Sequence, residues 1–283
     1  MTAEGLTAAL LASVLFNVGI VLQALDARVV PRSLGLRFAL LTRLLRRPLW
    51  LTGLALGLLG AIPQAIAYNR APFVVVQPVL AAGLLLMLYL GVRMLGERVG
   101  RAEVAGVVGI TAGIALLAWG QPAGIETVSN ETAVISVMGA MTAISLIPFA
   151  LRGRGRLDSA TFVIVASSLA YGASNIATKL VSDGIDSRSW LLAGICLATA
   201  AATGIVALTT EMTALQRRPA TFVVPVSFAI QTFLPVVLEP IYLTERWGSA
   251  ALYGAPLIAG LLLIAVGAVA VSRTRAVSAL VAG

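Results

Sequence analysis

The stretch Leu257-Ile-Ala-Gly-Leu-Leu-Leu-Ile-Ala-Val-Gly-Ala-Val-Ala-Val271 decides the fold class of this chain. It is apolar over its whole length and contains no charged residue. A lipid bilayer accepts a backbone only when its peptide groups are hydrogen-bonded internally, which leaves α-helices and closed β-barrels. Barrel strands alternate apolar and polar residues over about ten positions, and this stretch does not alternate. It therefore predicts a membrane-spanning helix.

The composition extends this prediction to most of the chain. Apolar residues make up 59% of the 283 residues and charged residues 11%, about half the charged fraction of a soluble domain. The net charge is +8, but 19 of the 20 basic residues are arginines placed at the ends of apolar segments, which is typical of a bacterial inner-membrane protein and not of a nucleic-acid partner. There is no histidine and one cysteine, Cys196. We therefore expect no cofactor, no cysteine metal site and no histidine-based catalysis.

Nine apolar segments have the length of about 20 residues that a bilayer-spanning helix needs. They lie at 5–27, 48–69, 71–94, 101–120, 131–151, 159–181, 189–212, 219–242 and 249–271. Segment 28–47 is different, because it carries six arginines while Leu34, Phe38, Leu41 and Leu45 recur at helical spacing. We expect an amphipathic helix at the membrane interface there. A tenth span is the alternative, although each buried arginine would cost about 3 kcal/mol.

The basic residues orient these spans. With nine spans, 16 of the 20 lysines and arginines fall on one side of the membrane and four on the other. Cytoplasmic loops collect the basic residues of membrane proteins. The sequence therefore predicts an N-terminus outside, a cytoplasmic C-terminus and a multi-pass protein of the plasma (inner) membrane.

Two parts of the sequence echo each other at an offset of 148 residues. Arg70-Ala-Pro-Phe-Val-Val-Val76 and Leu95-Gly-Glu-Arg-Val-Gly100 match Arg218-Pro-Ala-Thr-Phe-Val-Val224 and Leu243-Thr-Glu-Arg-Trp-Gly248. We expect an all-α polytopic membrane protein with four-helix repeats at 1–120 and 158–283, joined by a linker helix within 121–157. Because five spans separate equivalent positions, the second repeat should be inverted, as in transporters that alternate access around a midplane site.

These paired motifs resemble the drug/metabolite transporter superfamily over nearly the whole chain. The nine-span layout and the Ala71-Pro72…Pro78 corner are similar to its NIPA-like members, whereas the common EamA-like members have ten spans. The resemblance implies secondary transport. Where the NIPA-like magnesium transporters have an acidic residue in the second span, this chain has Ala61, followed by Pro63 and Gln64.

Polar residues inside spans are candidates for a functional site, because lipid penalises them. Counting about 1.5 Å per residue from the span ends places only neutral side chains near the midplane or the outer half, and these are the predicted substrate contacts: Asn17, Gln64, Gln77, Tyr171, Asn175, Thr203 and Gln231. Interhelical hydrogen bonding is the alternative role for each of them. Glu211 falls near the cytoplasmic end of its span and Glu239 near the outer end of its span, and both are candidates for gating or proton coupling. The sequence thus predicts a polar, uncharged cavity.

A cavity of this kind suits a neutral or zwitterionic organic solute, or an amphiphile, better than Mg²⁺, which favours carboxylates and retained waters. We therefore expect a secondary transporter, and no enzyme, whose partners are the lipid bilayer and a small molecule or cation. A NIPA-like magnesium transporter, a lipid flippase and an intramembrane enzyme are the alternatives. The sequence leaves open whether the chain forms a homodimer.

Overall fold

A computed structural model describes residues 3–71, 73–120, 131–152, 159–186, 188–242 and 251–281. The regular secondary structure of these residues is helical, with ten α-helices and two short 3₁₀ turns, Arg32–Leu34 and Ala251–Gly254. In chain order the α-helices are α1 (Ala3–Val29), α2 (Phe38–Leu44), α3 (Pro48–Arg70), α4 (Phe73–Leu95), α5 (Arg101–Gly120), α6 (Glu131–Ala150), α7 (Ala160–Asp186), α8 (Trp190–Arg217), α9 (Ala220–Tyr242) and α10 (Ala255–Val281).

Nine of the described helices, all except α2, are long and apolar enough to cross a membrane. The predicted all-helical, multi-pass architecture is confirmed at this level. Many large apolar side chains point away from the protein, among them Ile135 (69% exposed), Leu191 (79%) and Leu262 (62%). A soluble protein rarely shows so extensive an apolar exterior, and a lipid-facing surface accounts for it.

Proline corners separate two pairs of consecutive helices. Ala71 ends α3 with φ −142° and ψ 150°, and Arg218 ends α8 with φ −135° and ψ 156°. Both residues precede a proline, which disfavours the helical conformation of the residue before it. The two sequence motifs that echo each other therefore end their helices in the same way.

Close packing of α5 against α10 depends on glycines. A Cβ atom at Gly106 would lie 2.7 Å from the carbonyl oxygen of Gly267, and one at Gly113 would lie 2.7 Å from that of Gly260. Small residues allow helix backbones to approach in this way within a membrane. Residue numbers rise along α5 as they fall along α10, so the two helices are antiparallel.

Segment 28–47 corrects the sequence prediction, because it is not one amphipathic helix. Helix α1 continues to Val29, and only the seven residues of α2 are α-helical after it. Between these helices, Leu36 has a left-handed backbone conformation (φ 54°) that turns the chain. The segment folds back under α8, where the amide of Leu36 donates to Thr213 Oγ1 at 2.9 Å. The buried positions of α2 are Leu40, Leu41 and Leu44; of the predicted apolar positions, Leu41 is therefore buried, whereas Phe38 and Leu45 are exposed.

The largest apolar cluster joins both halves of the chain and runs along much of the length of the bundle, from Ala27 and Trp50 to Leu117 and Leu257. Trp50, 1% exposed, lies in this cluster, and its indole nitrogen donates to Met212 Sδ at 3.2 Å. We call the end of the bundle where α1, α4 and α8 finish and α3, α5 and α9 begin the arginine-rich end. Smaller clusters lie at the opposite end. One contains Ala9, Ala67 and Val76 of the first half, and another contains Val134 of α6 with side chains of α7 and α9.

Candidate functional site

A cavity of about 690 Å³ lies between helices of both halves of the chain. Its lining comes from α1, α3, α4, α5, α7, α8 and α9. Drug-sized ligands occupy pockets of roughly 300–1,000 Å³. Six of the seven neutral residues that the sequence singled out line this one cavity: Asn17, Gln64, Gln77, Tyr171, Asn175 and Gln231.

The predicted residues on α3 and α4 form a small polar group on one wall. Gln77 Nε2 donates to the hydroxyl of Tyr68 at 2.9 Å, and Tyr68 also hydrogen-bonds with Gln64. Tyr68 precedes the proline corner by three residues, so the corner brings the last turn of α3 next to the first turns of α4. These side chains satisfy part of each other's hydrogen-bonding capacity while two of them, Gln64 and Gln77, line the cavity.

Asn17 lies near the middle of α1 and is 8% exposed. Its amide nitrogen donates to the carbonyl of Ser13 at 2.7 Å, one turn earlier in the same helix. The side chain packs against Gly83 of α4, where a Cβ atom would collide with it. The glycine therefore leaves the room that a polar side chain needs between α1 and α4.

Glu211 corrects the expectation of an uncharged cavity. Its side chain lines the cavity, is 7% exposed as a residue, and accepts a hydrogen bond from the Tyr171 hydroxyl at 2.6 Å. The sequence placed Glu211 at the end of its span because that span was expected to finish at residue 212, whereas α8 continues to Arg217. Helical side chains also lean toward the N-terminus of their helix, which here is the direction of the bilayer midplane. Among the described lining residues, Glu211 carries the one charged side chain.

Two other predicted residues do not contribute to the described lining. Thr203 is 3% exposed, but its hydroxyl donates to the carbonyls of Thr199 at 2.8 Å and Ala200 at 3.2 Å within α8. Thr203 therefore bonds within its own helix, as is common for threonine, and neither lines the described cavity nor bonds to another helix. Glu239 belongs to α9, and its side chain lies outside the described residues.

Sequence reasoning identified Gln231 on α9 but missed lining residues near it. Val224, Ser227 and Phe228 line the cavity together with Gln231. Their spacing of three and four residues puts them on one helical face, and this periodicity around Gln231 was the signal that could have found them. Ser227 is 2% exposed, and its hydroxyl has no hydrogen-bond partner in the described structure.

A network of charged and polar groups joins the two halves at the arginine-rich end. The carboxylate of Glu97 accepts hydrogen bonds from the backbone amides of Ala220 at 2.7 Å and Thr221 at 2.8 Å, and from the Thr221 hydroxyl. Arg28 forms an ion pair with the same carboxylate. Glu97 follows α4, so a side chain of the first half caps the N-terminus of α9, where a negative charge is stabilised.

Two further links reinforce this end. Gln216 Nε2 of α8 donates to the carbonyl of Val30 at 3.2 Å. Asp26 accepts from Arg47 Nε at 2.7 Å and from the amide of Trp50 at 2.8 Å, which holds the start of α3 against α1. Side chains of both halves of the chain therefore meet at the arginine-rich end.

The arrangement can enclose a partly polar small molecule, since amides, hydroxyls and one carboxylate interrupt an otherwise apolar wall. Within the described part of the chain, no group of three histidine, cysteine, aspartate or glutamate side chains is placed to hold a metal ion. No family model, no curated protein and no solved structure matches this chain.

Proposed function

We propose that this chain is a secondary transporter that moves a small organic solute across the membrane by alternating access. One observation carries the proposal: polar residues from both halves of the chain converge on a drug-sized cavity between membrane-length helices. Intramembrane polar groups are costly unless they pair or serve a function. In this proposal the chain is a transporter and not an enzyme, since the cavity offers one carboxylate, the Tyr171 hydroxyl beside it, and no lysine, arginine or second carboxylate among its described lining residues.

Inverted repeats are part of this proposal, with α1, α3, α4 and α5 equivalent to α7, α8, α9 and α10. The pairing of Gly106 with Gly267 and of Gly113 with Gly260 supports it, because a pseudo-two-fold axis between α5 and α10 produces this reciprocal pattern. The matching proline corners after α3 and α8 also support it. Transporters built in this way bind substrate where the two repeats meet, which agrees with the resemblance to the drug/metabolite superfamily.

The orientation we propose puts the arginine-rich end in the cytoplasm of a cell with this protein in its plasma membrane. The 16-to-four distribution of basic residues supports it. The N-terminus is then outside and the C-terminus cytoplasmic. In this proposal the Glu97 network closes the cytoplasmic side of the cavity.

The wall chemistry favours an organic solute over Mg²⁺. Leucine, isoleucine, valine and phenylalanine side chains form much of the lining, and one carboxylate interrupts it. Mg²⁺ keeps several waters and prefers a dominantly oxygen-lined site. An apolar wall stabilises the body of an organic molecule instead.

A variant that fills the cavity tests the proposal. Gly57 lines the cavity, and a Cβ atom there would meet nothing within 4 Å. Gly57→Phe should therefore fold and occupy the space in which a solute binds. Gly194→Phe is the matched control, because Gly194 is equally unobstructed but lies outside the lining.

The purified protein would be screened by thermal shift against organic solutes, since a ligand specific for the folded state raises its stability. Solutes that bind would then be followed by counterflow in proteoliposomes. We expect exchange by the wild type and Gly194→Phe and none by Gly57→Phe. Equal exchange by Gly57→Phe, or exchange by no variant above protein-free vesicles, would refute transport through this cavity.

A further inference from the structure

The charge distribution in the cavity identifies a class of solute. Glu211 is 7% exposed, and the Tyr171 hydroxyl donates to one of its oxygens at 2.6 Å. No arginine or lysine pairs with it among the described side chains. Three other described carboxylates do have basic partners. These pairs are Glu4 with Arg70, Asp26 with Arg47, and Glu97 with Arg28.

A buried charge without a counter-charge is unfavourable, because the low-dielectric surroundings neither solvate it nor screen it. The single hydroxyl donor from Tyr171 does not neutralise the carboxylate, so the Glu211 side chain either binds a proton or pairs with a cation. A cation that enters the cavity would supply the missing charge, and the attraction is stronger there than in water. The described lining contains no basic side chain that would repel such a cation.

The walls indicate that the cation is organic. Phe16, Phe228 and Tyr171 contribute three aromatic rings to the lining. Aromatic rings attract alkylammonium and related cations and offer much less to a strongly hydrated metal ion. Apolar side chains such as Leu84 and Ile114 complete a wall suited to a carbon-rich body.

We propose that the transported solute is a monovalent organic cation whose charge pairs with Glu211 and whose apolar body fills the cavity. The inference rests on the transport proposal above and adds the substrate class. Glu211 is the counter-ion, Tyr171 positions its carboxylate, and the aromatic and aliphatic walls select an organic body.

Binding of tetraphenylphosphonium tests the charge preference, with triphenylphosphine oxide as a neutral compound of related shape. Equilibrium dialysis with the purified full chain measures both. Glu211→Gln keeps the size of the side chain and removes its charge, so it should weaken tetraphenylphosphonium binding by roughly 30-fold or more, the effect of losing a charge-assisted partner. Binding of the neutral oxide should not change. Glu4→Gln is the matched control, because Glu4 is an exposed carboxylate at the end of α1 and should leave both affinities unchanged.

Tyr171→Phe keeps the ring and removes the donor to Glu211, and it should weaken cation binding less than Glu211→Gln does. It also provides a second folded variant if Glu211→Gln does not yield a monodisperse protein. Equal affinity of the wild type for the two probes, or loss of both probes alike in Glu211→Gln and Tyr171→Phe, would overturn the proposal. Displacement of tetraphenylphosphonium by Mg²⁺ at equal concentration would overturn it as well.

Counterflow separates failure of this inference from failure of transport. A protein that exchanges a neutral solute and shows no preference for tetraphenylphosphonium retains the transport function and refutes the cation class. A protein that binds tetraphenylphosphonium through Glu211 but exchanges no solute supports the cation site and refutes transport.

Discussion

Replacing Glu97 by glutamine should loosen the arginine-rich end of the cavity without unfolding the protein. The carboxylate accepts hydrogen bonds from two backbone amides and one hydroxyl at the start of α9, and it pairs with Arg28, whose side chain is 29% exposed. Hydrogen bonds to charged groups contribute about 1.5–3 kcal/mol each, and neutral ones about 1 kcal/mol. Glutamine keeps an acceptor oxygen but loses the charge. Because these contacts are not additive, we expect a total loss of about 2–3 kcal/mol in the local stability of this contact.

Hydrogen exchange at the start of α9 measures this loss directly, because the amides of Ala220 and Thr221 are the donors to Glu97. A loss of about 2–3 kcal/mol should speed their exchange by roughly 30- to 150-fold if they exchange by local opening. Amides in the middle of α5, which packs on α10, should keep their wild-type rates. Arg28→Gln should speed the exchange of these two amides less than Glu97→Gln does. The free-energy loss in the double variant should be smaller than the sum of the two single losses, since both residues act on one contact.

Unchanged exchange at Ala220 and Thr221 in a folded Glu97→Gln protein would refute the assignment of Glu97 as the residue that closes this end. Faster exchange throughout the protein would instead show that Glu97 supports the whole fold, which also contradicts a local closure.

Two further predictions concern packing and helix ends. Gly113→Val should lower the melting temperature strongly, because its side chain would collide with the backbone of α10 and overpacking costs about 1–3 kcal/mol. Gly194→Val should lower it much less, because a Cβ atom at Gly194 meets nothing within 4 Å. Equal shifts in melting temperature would contradict the packing of α5 on α10. Asp26→Asn should destabilise the start of α3 by about 1–3 kcal/mol, because Asp26 accepts a hydrogen bond from the buried amide of Trp50 and pairs with Arg47. An unchanged melting temperature together with unchanged fluorescence of Trp50 would contradict this role of Asp26.

The helices could be predicted from sequence because lipid imposes one simple rule on apolar segments of about 20 residues. The convergence of Asn17, Gln77 and Gln231 on one cavity was also foreseeable, since polar residues at similar depth in adjacent spans tend to face each other and not lipid. The depth of each residue follows from its position along its own helix, so this convergence could be predicted without knowing any contact between helices.

The place of Glu211 could not be predicted because depth was counted from a helix end that lies five residues too early. Hydropathy does not fix such an end when the polar residues that follow are buried by another segment, here the turn around Leu36 that bonds to Thr213. That turn depends on a left-handed backbone at Leu36, which the apolar pattern of the segment conceals. Ser227 was missed for a different reason, because a serine inside a helix usually bonds to its own backbone and gives no sign of facing a cavity.

Access to one cavity residue from both sides of the membrane is the most direct test of the central claim. Gln231→Cys in a Cys196→Ala background has a single thiol, placed on the cavity wall. A membrane-impermeant maleimide would be added to oriented proteoliposomes from either face. Alternating access predicts labelling from both faces, with Glu97→Gln raising the rate from the arginine-rich side. Labelling of Gln231→Cys from one face only, both with and without Glu97→Gln, would contradict transport through this cavity.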